Sequence, residues 1–71
     1  MPHENEVTIV DARVGAERGV VIDDQHRSYD VEASTAESAR ALLNAGRRPQ
    51  ATVVTEGATR RVVAIHDPLS R

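Results

Sequence analysis

Two Arg-Arg pairs, Arg47-Arg48 and Arg60-Arg61, stand in the stretch GRRPQATVVTEGATRRVVAIH, residues 46–66, of a chain whose net charge is −2. A guanidinium is a planar fork that matches carboxylate or phosphate, so the spacing poses the question of an anion clamp. Strand geometry restricts the answer. Successive side chains of a strand point to opposite faces, so Arg60 and Arg61 cannot serve one ligand if both are extended. The same holds for Arg47 and Arg48 unless the loop after Gly46 bends them together. At best one member of each pair shares a surface, with Arg40 as a third. Three phosphate contacts give weak, salt-sensitive binding. Charged residues at strand ends also discourage edge-to-edge aggregation, which is the plainer use of these pairs.

The other reactive side chains are scattered. His26 follows Asp23 and Asp24, and His66 precedes Asp67. Histidine and carboxylate are proper metal ligands, but no i,i+4 or H-x-H spacing fixes two of them together, so no metal is expected. His26, Ser28 and Asp30 alternate along one polar face and make no triad. GAERG lacks the Lys-Ser/Thr ending of a phosphate loop. The absence of cysteine excludes disulfides, thiolate zinc sites and cysteine nucleophiles. Catalysis needs a pocket that excludes water, which a small valine-rich core can hardly enclose. These residues predict no enzyme, no cofactor and no small-molecule substrate.

The elements that must position these residues are legible from local patterns. EVTIVDARV, 6–14, reads as a β-branched strand and VVI, 20–22, as a second. DDQH between the second and third strands is a polar break in which Asp23 or Asp24 can bond back to the backbone. In SYDVEA, 28–33, Tyr29, Val31 and Ala33 alternate with Asp30 and Glu32, the pattern of a half-buried strand with an acidic outer face. Tyr29 is thereby assigned to the core, although as the lone aromatic residue it is also the one candidate for stacking on a base. Ser34 and Glu37 have the spacing of a capping box. Ala36, Ala39, Leu42 and Leu43 then recur at helical spacing, and Gly46 suits the left-handed position that ends a helix. Glu37 and Arg40 are placed to suit the helix dipole. PQATVVTE and RRVVAIH make two last strands joined across Gly57-Ala58, with glycine first in a tight hairpin loop.

Composition bounds the rest. The chain has 71 residues, ten of them valine, and neither Phe nor Trp. Valine favours strands, and the lack of large anchors predicts a thin core with a tendency to self-associate. The organisation expected is a disordered lead over 1–5, one domain over 6–67 and a frayed end over 68–71. No run approaches the ~20 apolar residues of a membrane span, and the acidic start is not a signal peptide, so cytoplasm is the default location. Charge is uneven: residues 1–39 carry three arginines against nine acids, −6, and residues 40–71 carry six against two, +4. No cation is lysine, which equally fits a GC-rich genome.

The order strand, strand, strand, helix, strand, strand resembles the OB-fold, a partly open five-stranded barrel. LLNAGRRPQATVV is similar to the entry into the fourth strand of such barrels, and the likeness extends loosely to the last third of cold-shock and S1-type modules. It implies a mostly β, α+β, OB-like barrel. Its relatives bind single strands through a basic groove and stacking aromatics, whereas GVVIDD and RSYDVEA offer one Tyr and four acids in the corresponding strands. The expected function is therefore a non-catalytic interaction module that engages another protein or its own copy. The alternative is weak single-stranded nucleic-acid binding, with Arg40, Arg47, Arg48, Arg60, Arg61 and Tyr29 as the binding candidates.

Overall fold

A computed structural model describes residues 3–67. Its elements are β1 (His3–Val14), β2 (Arg18–Asp23), β3 (Ser28–Glu32), α1 (Ala33–Asn44), β4 (Gln50–Glu56) and β5 (Thr59–His66). The sheet is antiparallel with strand order β3-β2-β1-β4-β5. The expected order of five strands around one helix is observed.

One long strand organises the barrel. The first half of β1 pairs with β4, from His3 opposite Thr55 to Thr8 opposite Gln50. Its second half pairs with β2, from Ile9 opposite Asp23 to Val14 opposite Gly19. The changeover is marked by a bulge between Ile9 and Asp11, which bends the strand and increases its twist. Two backbone bonds pin the corner, Ile9 N–H to Pro49 O at 2.8 Å and Asp24 N–H to Thr8 O at 3.0 Å. The sheet curls far enough for β3 to approach β5, although no ladder joins them among the described residues. The result is a half-barrel with an open seam. One boundary differs from expectation. His3, Glu4 and Asn5, expected in a disordered lead, pair with β4 opposite Thr55, Val54 and Val53, because that strand offers them a hydrogen-bonding edge. The expected frayed end lies outside the described residues.

The helix starts earlier than the capping box predicts. Its N-cap is Glu32, in extended conformation, and no side chain caps it. β3 runs straight into α1, and the Ala33 N–H is taken by Glu17 O at 3.4 Å. A backbone carbonyl from the β1–β2 turn thus meets one of the orphan donors of the first turn. Ser34 and Glu37 lie inside the helix, and neither the first turn nor the last holds the charge that the dipole favours. The C-terminus ends as expected. Gly46 has φ +80°, and the Gly46 and Arg47 amides bond to Leu43 O (3.0 Å) and Leu42 O (2.9 Å), the double closure of a Schellman motif.

The core is small-bodied: Ile9, Ala12, Val21, Tyr29, Val31, Ala36, Ala39, Ala51 and Val53. Small residues let α1 come close to the sheet. A Cβ placed on Gly19 would lie 2.3 Å from the Ala36 Cβ and 2.8 Å from Arg13 O, so glycine is required where the helix crosses β2. At the other end Gly57, with φ +61°, opens the two-residue loop between Glu56 and Thr59, where a tight hairpin places glycine.

Candidate functional site

The arginines singled out from the sequence do not converge. Arg40 donates from Nη1 to Ala12 O at 2.8 Å, tying the helix to β1. Arg47 is hydrogen-bonded to Asp67 in an ion pair. Arg48 is exposed. Arg61 lies opposite Val54 and Arg60 opposite Thr55, which places them on the two faces of β5 as alternation requires. Arg47 and Arg48 precede the start of β4, whereas Arg60 and Arg61 face its far end. Five residues of strand at about 3.4 Å each put roughly 17 Å between these ends. Hairpin geometry thus carries the two pairs to opposite ends of the sheet.

Tyr29 lies in the core. Its side chain points into the barrel, 4% exposed, and its hydroxyl donates to Asp23 Oδ2 at 2.8 Å. A ring so enclosed presents no face for stacking on a base. Asp23 is fully buried. Its Oδ1 accepts from the Gln25 and Arg27 amides at 2.9 and 2.8 Å, and Arg27 Nε lies 3.3 Å from Oδ2. Burial alone would raise the Asp23 pKa, but the three donors and the Arg27 charge outweigh it and hold the carboxyl below its usual value. Tyr29 is pushed up, chiefly by burial and then by its bond to Asp23 and that carboxylate's charge, with Arg27 and Arg60 pulling the other way. The pattern analysis found the turn-forming role of Asp23 but not its burial or its link to Arg27. The available signal was parity: Asp23 shares the inward face of β2 with Gly19 and Val21.

Two concavities remain as candidate sites. A cavity of about 310 Å³ opens at the mouth of the barrel, with Asn5, Asp24, Arg27, Tyr29, Thr55 and Arg60 on its wall. A groove of about 380 Å³ runs over the β1–β2 hairpin end, lined by Arg13, Val14, Arg18, Gly19, Val20 and Asp30. Arg13, Val20 and Asp30 are cross-strand neighbours, hence on the outer face, and Val14 at the strand end is 42% exposed. His66 Nε2 faces Glu6 Oε1 at 3.3 Å. No three His, Asp or Glu side chains come together as metal ligands among the described residues.

No protein-family model matches the chain, and no curated protein matches it in sequence. Among solved structures, a translation initiation factor eif-5a family protein from Naegleria fowleri superposes over 93% of this chain with a TM-score of 0.56 and 15% identity. The chain has an OB-like fold. It spans 55% of that protein's length, and at this identity the likeness is one of fold. Where OB-like modules present stacking aromatics on β2 and β3, this chain presents Val20, Ile22, Asp30 and Glu32, with its tyrosine turned inward. No helix among the described residues is long and apolar enough to cross a membrane.

Proposed function

We propose that this chain is a non-catalytic protein-interaction module whose contact surface is the groove on the outer side of β1, β2 and β3. The observation that carries this reading is the composition of the groove, in which Val20 sits among Arg13, Arg18 and Asp30 on the outer face and the exposed Val14 adds apolar surface at the strand end. An apolar centre with a polar rim is the usual anatomy of a protein interface. Arg18 and Asp30 have no ion pair or hydrogen bond from their side chains among the described residues. A patch that carries both unpaired signs beside apolar surface is self-complementary, as a two-fold interface must be. The occupant it fits is a second copy of the chain, with each Arg18 meeting the partner copy's Asp30.

Sedimentation velocity from micromolar to millimolar concentration tests this. The wild type is expected to associate, Arg18→Asp or Asp30→Arg alone to weaken association, and the double exchange to restore it. A wild type that stays monomeric throughout, or a double exchange no better than either single change, would overturn the self-association reading. Single-stranded nucleic-acid binding is the second reading, favoured by the translation-factor neighbour and by the presence of Arg13 and Arg18 on this face. A micromolar complex with single-stranded RNA at physiological salt, weakened by Arg13→Ala and Arg18→Ala, would select it. The dispersal of the other arginines and the enclosure of Tyr29 weigh against it.

A further inference from the structure

The cavity at the barrel mouth differs in kind from the groove and shares no residue with it. The groove includes apolar surface at Val14 and Val20, whereas this cavity is walled mainly by polar and charged side chains. Its volume of about 310 Å³ lies at the lower end of the ~300–1,000 Å³ range of small-molecule sites. A polar wall in so small a space selects a small hydrophilic ligand.

The charges define it further. Of the two cations on the wall, Arg27 is already matched by Asp23 and by Gln25 Oε1. Of the two carboxylates, Glu6 is held opposite His66. That leaves Arg60 and Asp24. Neither side chain has a hydrogen bond or ion pair among the described residues, nor do they pair with each other. Asn5 and Thr55 add neutral hydrogen-bonding groups to the same wall. A lone anion entering here meets the Asp24 carboxylate, and a lone cation meets Arg60. A molecule that carries both charges satisfies both.

We infer that the barrel mouth binds a small zwitterion, with Arg60 receiving its carboxylate and Asp24 its ammonium group. The backbone that carries Asp24 is held in place before the ligand arrives, by the bond from the Asp24 amide to Thr8 O (3.0 Å). The turn that carries it is closed by Asp23 Oδ1, which accepts from the Gln25 and Arg27 amides. Preorganisation of this kind reduces the ordering cost of binding.

The test is an amide NMR titration of the full chain with a series of ω-amino acids, from glycine to 6-aminohexanoate, which varies the separation of the two charges. Acetate and butylamine serve as single-charge controls. One member of the series is expected to bind with a millimolar or better Kd and to shift the amides of Asp24–Arg27 and Arg60. Acetate and butylamine are expected to bind at least tenfold more weakly, and Arg60→Gln and Asp24→Asn each to weaken the zwitterion about tenfold or more, as the loss of one charged contact implies. The amide spectrum itself reports whether each variant is folded. Absence of binding across the series, acetate binding as tightly as the best amino acid, or affinity unchanged in both variants would overturn the proposal. Because the two sites are separate, none of these results bears on association through the groove.

Discussion

The hydroxyl of Tyr29 donates to the carboxylate of Asp23 at 2.8 Å, and both residues are buried. The two groups lie six positions apart and close the β2–β3 hairpin from the inside. The pair explains why a chain with one aromatic residue encloses it instead of displaying it. The same pair holds the turn that brings Asp24 and Arg27 to the barrel mouth.

Replacing Asp23 with Asn is expected to lower unfolding stability at neutral pH by about 2 kcal/mol, since a hydrogen-bonded buried charge is exchanged for a neutral amide that mismatches its donors. That is a large share of a domain this size, whose total is on the order of 4–10 kcal/mol. The pH dependence follows from the lowered carboxyl pKa. A depressed folded-state pKa contributes stability above the ordinary carboxylate value, about pH 4, that is lost as pH falls through the folded value. Urea unfolding should show wild-type stability dropping below about pH 4 and Asp23→Asn dropping less steeply. Parallel curves would remove Asp23 as a source of acid sensitivity.

Tyr29 offers the complementary measurement on the alkaline side. It is the only tyrosine and there is no tryptophan, so phenolate absorbance follows one group. Its pKa is raised above 10.0 by burial and by Asp23. A raised folded-state value contributes stability that is complete below about pH 10 and lost as pH rises through the folded value. The native protein should therefore ionise its tyrosine at higher pH than the urea-unfolded chain. Identical midpoints would show that the hydroxyl is open to water.

Gly19→Ala is expected to cost about 1–3 kcal/mol, the usual range for overpacking a filled site. The added carbon would meet the Ala36 Cβ at 2.3 Å and a backbone oxygen at 2.8 Å, and the helix has to move away from β2. Chemical denaturation gives the value, and a loss under about 0.5 kcal/mol would mean that the crossing is looser than described.

His26 is the one non-glycine residue with positive φ, +65°, among those described. It closes the turn in which its amide bonds to Asp23 O at 3.1 Å. Left-handed backbone costs an ordinary residue about 1–2 kcal/mol, partly offset when glycine replaces it by glycine's greater unfolded-state freedom. His26→Gly should raise stability by about 0.5–1 kcal/mol in the same assay. A destabilised variant would show that the imidazole makes a contribution outweighing the strain.

What the sequence by itself determined is the set of local decisions. Period-two alternation put Tyr29 and Val31 inside and Asp30 and Glu32 outside, because a pleated strand offers each side chain only two directions. Gly46 and Gly57 marked a helix end and a hairpin, because few other residues adopt positive φ at low cost. Alternation also placed Arg60 and Arg61 on opposite faces before any partner strand was known. What only the tertiary structure decided depends on groups distant in sequence. The helix begins at Ala33 and not at a Ser34 cap, because Glu17 from another turn supplies the acceptor. His3–Asn5 join the sheet because β4 lies beside them. The four arginines are separated because two antiparallel strands carry their ends apart. Asp23 is enclosed because β1, distant in sequence, pairs beside it through Ile9, while the donors that offset its desolvation come from its own hairpin, at Gln25, Arg27 and Tyr29. The inward parity of Asp23 is written in β2, but the placement of charges distant in sequence is a property of the closed barrel, and no local pattern encodes it.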